Sequence, residues 1–160
     1  MGLFSKRNKV LSSDEIALIL IGLSGESVKA AAKRLKSHLD SPDMIIWRNV
    51  EAELLCFSWF STDYWMSDLV HPAEKSKDLR LAFYNHCQNI FNSSEERSAL
   101  KERMNSYGQL VISNLSDEIL YIRFGEMLAE YCGQPEPSFY FILVAPELFN
   151  QARTGVSEIT

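Results

Sequence analysis

PDMIIWRNVEAELLCFSWFSTDYWM, residues 42–66, is the stretch on which the fold turns. Its start carries the chemistry of a helix N-terminus: Ser41 as cap, Pro42 at the first helical position, Asp43 in the first turn. At about 100° per residue, Ile46, Val50, Leu54, Phe57, Phe60 and Tyr64 share one face. Ile45, Ala52, Leu55, Cys56 and Trp59 occupy much of the opposite face. A helix apolar on two flanks has to be covered on both. The pattern therefore predicts a central helix, about 42–60, with a break near Ser61-Thr62-Asp63.

Upstream, Ser12 and Glu15 stand at capping-box spacing before the apolar stretch Ile16–Leu23. Ser24-Gly25 predicts an interruption, followed by a second helix over 26–39 with Val28, Ala31, Ala32, Leu35 and Leu39 on one stripe. Downstream, His71-Pro72 opens a helix over 73–91 that places Leu79, Phe83, His86, Cys87 and Ile90 together. Ser93 with Glu96 repeats the capping box ahead of a helix over 95–112, whose core line is Leu100, Met104, Tyr107 and Val111. Ser116-Asp117-Glu118 starts another, with Leu120, Phe124, Met127, Leu128 and Tyr131 inward and Gly133 as its stop. Pro135 and Pro137 forbid helix, and the apolar run Phe139–Ala145 reads as a short extended or helical segment. A last short helix is expected from Pro146 to about Ala152.

The sum is an all-α chain, 1–160, forming one bundle of about five to seven helices, with a basic N-terminal arm over 1–12. Ser13-Asp14-Glu15-Ile16, with Ile19 and Gly22, echoes Ser116-Asp117-Glu118-Ile119, with Ile122 and Gly125. Half of that echo is capping chemistry and it extends no further, so it does not make a repeat.

The formal net charge is −5, but residues 1–48 hold eight Lys/Arg against five acids, leaving −8 on the rest. A pI near 5.2 argues against general nucleic-acid binding. Lys29, Lys33 and Lys36 form a local basic patch, read either as a solvated helix face or as a contact for anionic lipid or nucleic acid. Cys56, Cys87 and Cys132 are widely spaced with no CxxC, which speaks against a disulfide framework or a structural zinc site. A reducing, cytoplasmic setting fits them best. Asp14 and Glu15 oppose a secretory leader, and Lys6 breaks the myristoylation pattern. No stretch approaches the roughly 18 apolar residues that span a bilayer.

Candidate chemistry is sparse. Glu53 projects between Val50 and Phe57, and His86 onto the core stripe of its helix. Together they would make an acid/base or metal-ligand nucleus; the blander reading is a structural hydrogen bond or a boundary position. No Glu-x-x-His, Gly-x-Ser-x-Gly, His-Glu-x-x-His or phosphate-loop signature occurs, and His86 and Cys87 point about 100° apart on one helix. No catalytic residue, metal or cofactor is assigned. Phe57, Trp59, Phe60, Tyr64 and Trp65 make an aromatic surplus that, with Met66 on the Trp59 side, either fills two layers of core or reaches a ligand or partner. The leading expectation is a non-catalytic interaction module: a small acidic adaptor, inhibitor or immunity-type protein. It would bind a partner protein through its acidic two-thirds or an apolar helix groove, or self-associate through Ile16–Leu23 or Phe139–Ala145. The competing expectation is a small-molecule- or metal-binding bundle, extending to an enzyme, with a pocket at Glu53, His86 and the aromatics of 57–66.

Overall fold

The computed structural model describes residues 10–38, 44–113, 115–133 and 139–160, with side chains from 47 onward in the second stretch. Most of the basic arm, the Ser41-Pro42-Asp43 start, Pro135 and Pro137, and the side chains of Ile45 and Ile46 lie outside the described residues. Among the described residues there are six helices and no strand: α1 (Ser13–Lys36), α2 (Met44–Leu69), α3 (Ala73–Ile90), α4 (Ser94–Ile112), α5 (Asp117–Tyr131) and α6 (Phe139–Ile159).

α2 packs against all five other helices. Its two apolar flanks enter different cores. Val50, Leu54, Phe57 and Phe60 join Val28 and Leu35 of α1, Tyr107 of α4, Phe124 and Leu128 of α5, and Phe141, Val144 and Leu148 of α6. Cys56, Trp59 and Met66, with Val70 just beyond α2, join Ile16 and Leu20 of α1, Leu79 and Phe83 of α3, and Leu100 of α4.

Three boundaries differ from the sequence expectation. α1 runs unbroken through Ser24-Gly25. The Ser24 hydroxyl is buried 3.3 Å from that of Thr62, so the polar side chain that suggested a turn is satisfied across the α1–α2 contact. Tertiary packing outweighs the roughly 1 kcal/mol that a mid-helix glycine costs. α2 likewise continues through 61–63, because Ser61 and Thr62 donate to the carbonyls of Phe57 and Ser58 at 2.8 and 2.9 Å. Such i→i−4 bonds consume the hydroxyls within the helix rather than breaking it. Residues 139–152 form no short extended segment followed by a separate helix. α6 is continuous and includes Pro146, which forgoes the bond to Ile142 and crowds its carbonyl. Phe141, Val144, Ala145, Leu148 and Phe149 are buried against the bundle and hold the backbone helical past it.

The local signals that do match are chemical ones. Both capping boxes form, Ser12 with Glu15 and Ser93 with Glu96. Gly133 follows α5 at φ 73°, the left-handed position that closes a helix. No helix among the described residues is long and apolar enough to cross a membrane.

A groove between α3 and α4 as candidate functional site

The residues singled out by sequence do not converge. Glu53 on α2 is 16% exposed and bonded to Arg103 of α4, whose Nε lies 3.2 Å from both carboxylate oxygens. The Arg103 guanidinium in turn lies over the Tyr131 ring, 3.7 Å from its centre. Burial pushes the Glu53 carboxyl above its usual range, against the pull of Arg103. His86 is half-buried at the rim of α3, with Nε2 3.2 Å from Asp14 of α1. Each thus has its own partner, and the Glu53–His86 pair expected from the sequence is not assembled. Among the described residues, no group of three or more His, Cys, Asp or Glu is placed to hold a metal ion.

The aromatics divide between the two cores. Trp59 is 1% exposed and Met66 fully enclosed, so neither presents surface to a ligand. Tyr64 and Trp65 are half-buried beside Phe149 of α6, and Trp65 Nε1 donates to the Phe149 carbonyl at 2.8 Å. On α1, Lys29 pairs with Glu26 at 2.7 Å and Lys36 with Glu51 at 2.9 Å, and Arg34 between them is bonded to Glu147. Nearby carboxylates thereby offset much of the patch formed with Lys33.

A large open groove lies elsewhere among the described residues. α3 and α4 each pack on α2 but make little contact with one another. Phe91-Asn92-Ser93 joins them. That link is held by the Phe91 ring, edge-on to Trp59 at 5.8 Å, and by the Glu96 carboxylate, which accepts the Asn92 and Ser93 N–H groups. Between the two helices runs a groove of about 660 Å³ with α2 as its floor. Phe60 and Asp63 come from the floor. α3 contributes Lys77, Arg80, Leu81 and Tyr84, at i, i+3, i+4 and i+7. α4 contributes Lys101, Met104, Asn105, Gly108, Gln109 and Ile112, spaced in the same way over three turns.

The apolar side chains on the walls are unusually open: Leu81 is 58% exposed and Ile112 74%. At the centre, Gly108 leaves the floor bare, since a β-carbon there would meet only Phe60 Cε2, at 4.0 Å. The charged groups are mostly cationic, Lys77, Arg80 and Lys101 against Asp63. Arg80 is bound by two 2.8 Å bonds to the Asp63 carboxylate, which hold its guanidinium above its usual pKa. Lys77 and Lys101 have no carboxylate partner among the described residues.

Another hollow, between α1, α2 and α6 at Ser24, Ser58 and Thr62, measures about 10 Å³, space for one water and nothing larger. Sequence reasoning missed the groove because it followed the core stripes. Its only trace in the sequence is a second helical stripe off the core line, Lys77-Arg80-Leu81-Tyr84, mixing cations with apolar surface. Compared with protein-family models, characterised proteins and solved structures, the chain matches none.

Proposed function

We propose that this chain is a non-catalytic helical interaction module that binds a partner protein through the α3–α4 groove. The observation that carries the reading is a pair of helix-spaced stripes, one on α3 and one on α4, that leave Leu81 and Ile112 facing solvent among cations and amides across a floor of Phe60. Exposed contiguous apolar surface rimmed by polar groups is how docking sites present themselves. The groove's volume also falls in the range of small-molecule sites, roughly 300–1,000 Å³. Such sites enclose some 70–90% of their ligand, however, and walls as bare as Leu81 and Ile112 cannot enclose a small molecule. A protein segment brings its own cover.

A random peptide library displayed on phage, selected on the full chain and counter-screened on Gly108→Trp, tests this. The indole has space to fill the groove over Phe60. Peptides that bind the native chain but not Gly108→Trp are the expected result. Binders indifferent to that substitution, or no enrichment, would overturn the proposal. Gly108→Ala, which adds one methyl in ordinary contact, is the folding control.

A further inference from the structure

We infer that the partner segment is an acidic amphipathic helix of about three to four turns, an inference that rests on the groove being the docking site as proposed above. Two independent features specify it, the spacing of the walls and their charge.

Lys77, Arg80, Leu81 and Tyr84 form one i, i+3, i+4, i+7 ridge, and Lys101, Met104, Asn105 and Gly108 begin another. Ridges of this spacing are what helices present to helices, and packed helix axes lie roughly 8–10 Å apart. Laid between α3 and α4 on α2, a further helix would seat its apolar side chains over Phe60 and into the gap at Gly108. Lys101 and Ile112 are eleven residues apart, about 16 Å of helix at 1.5 Å per residue. A partner of that length is marginal as a free helix and folds as it docks.

Charge selects the flanks. The lining holds Lys77, Arg80 and Lys101 against Asp63 alone, +2 in a chain whose formal net charge is −5. Asp63 is already committed to Arg80, so the two lysines are the cations free to receive a partner. They stand on opposite walls, Lys77 on α3 and Lys101 on α4, and therefore face both edges of anything lying between. Carboxylates on each side of the apolar stripe meet them, whereas Lys or Arg there would meet like charge. Glu74, Asp78 and Glu102 neighbour these lysines along α3 and α4 but do not line the groove.

The selection proposed above distinguishes the two readings when the enriched peptides are sequenced and characterised. Peptides lost on Gly108→Trp should carry apolar residues at i, i+3, i+4 and i+7 flanked by Asp or Glu. They should gain helical circular dichroism on binding. Lys77→Glu with Lys101→Glu should weaken them roughly tenfold or more, as should raising the salt, in keeping with charge pairs flanking a docked segment. Groove-dependent peptides that are neutral, basic or extended would overturn the acidic helix and leave the docking site standing. Peptides indifferent to Gly108→Trp would remove the docking site itself. A dimer in sedimentation that Gly108→Trp dissolves would give the groove to a second copy, and displacement of the peptides by decanoate at micromolar concentration would give it to an anionic amphiphile. Either result overturns the inference.

Discussion

Gly125 of α5 lies so close to Ile142 of α6 that a β-carbon at 125 would stand 2.5 Å from the Ile142 Cα and 2.8 Å from its N. The opposing atoms are backbone and cannot rotate aside, so any side chain at 125 must push the two helices apart. Overpacking costs about 1–3 kcal/mol, more than the roughly 1 kcal/mol that alanine gains over glycine in a helix. Gly125→Ala is expected to lose about 1–2 kcal/mol net, a melting-temperature drop of roughly 2–8 °C for a chain of this size. Calorimetry showing an unchanged or higher melting temperature would mean that α5 and α6 do not approach this closely.

Gly22 and Gly25 on α1 have the opposite surroundings, with nothing within 4 Å of where a β-carbon would stand at either position. Here only backbone entropy speaks. Gly22→Ala and Gly25→Ala should each stabilise the chain by about 0.5–1 kcal/mol. Denaturant midpoints should rise with no change in slope. A fall at Gly25 would place a break in α1 where the sequence first suggested one.

These glycines show what was legible in the sequence and what was not. Gly22 and Gly125 occupy the same place in the two Ser-Asp-Glu-Ile stretches, yet one is open and the other jammed. Nothing within ten residues of either could distinguish them, because the difference is made by Ile142. Helix starts were legible because capping chemistry is local: Ser12 with Glu15 and Ser93 with Glu96 each act over three residues. The two flanks of α2 were legible too, since their periodicity repeats over some five turns. Breaks at Ser24-Gly25 and Ser61-Thr62 were misread because their hydroxyls are satisfied by partners the local sequence does not reveal. The groove is of the same kind. Leu81 and Ile112 are ordinary apolar residues until α3 and α4 fail to close over them.

The Glu53–Arg103 pair predicts an asymmetry between its two members. Burial holds the Glu53 carboxyl above its usual value of 4.5. Between that value and the raised one, the folded chain keeps a proton that the unfolded chain has released. The contribution of Glu53 to stability therefore falls as pH rises through this window, the reverse of an ordinary paired carboxylate. Glu53→Gln removes that slope and is expected to change stability by less than about 1 kcal/mol at neutral pH, because Arg103 keeps its stack on Tyr131. Arg103→Gln leaves a mostly buried carboxylate unpaired and should lose about 2–3 kcal/mol at pH 7 and less at pH 4. Urea melts of both variants at the two pH values check this. Equal losses, or a loss for Arg103→Gln that grows toward acid, would contradict the assignment.

All three thiols should be inert in the folded chain. Cys56, Cys87 and Cys132 are buried, and that burial is the main cause of their raised pKa values, with Cys56 pushed up to about 12. The neighbouring carboxylate charge, Glu53 for Cys56 and Cys132 and Asp63 for Cys87, adds in the same direction. Because the thiolate is the reactive form, Ellman's reagent should label them only as fast as the chain opens, and at once in denaturant. Rapid native labelling of any one would show that its helix contact opens without global unfolding.

Tyr107 offers the sharpest test of the larger core. Its ring is fully buried among Phe57, Phe60, Phe124 and Tyr131, with centroids 4.9–6.2 Å away, yet its hydroxyl has no hydrogen-bond partner among the described residues. Burial also holds the phenol well above its ordinary pKa. A buried, unbonded hydroxyl costs about 1–3 kcal/mol, while the ring packing that favours the fold is kept by phenylalanine. Tyr107→Phe is therefore expected to hold or raise stability, by up to about 1–2 kcal/mol, with an unchanged near-ultraviolet spectrum from the tryptophans. A loss beyond about 1 kcal/mol would show that the hydroxyl is bonded, and that this junction of α2, α4 and α5 is polar rather than dry.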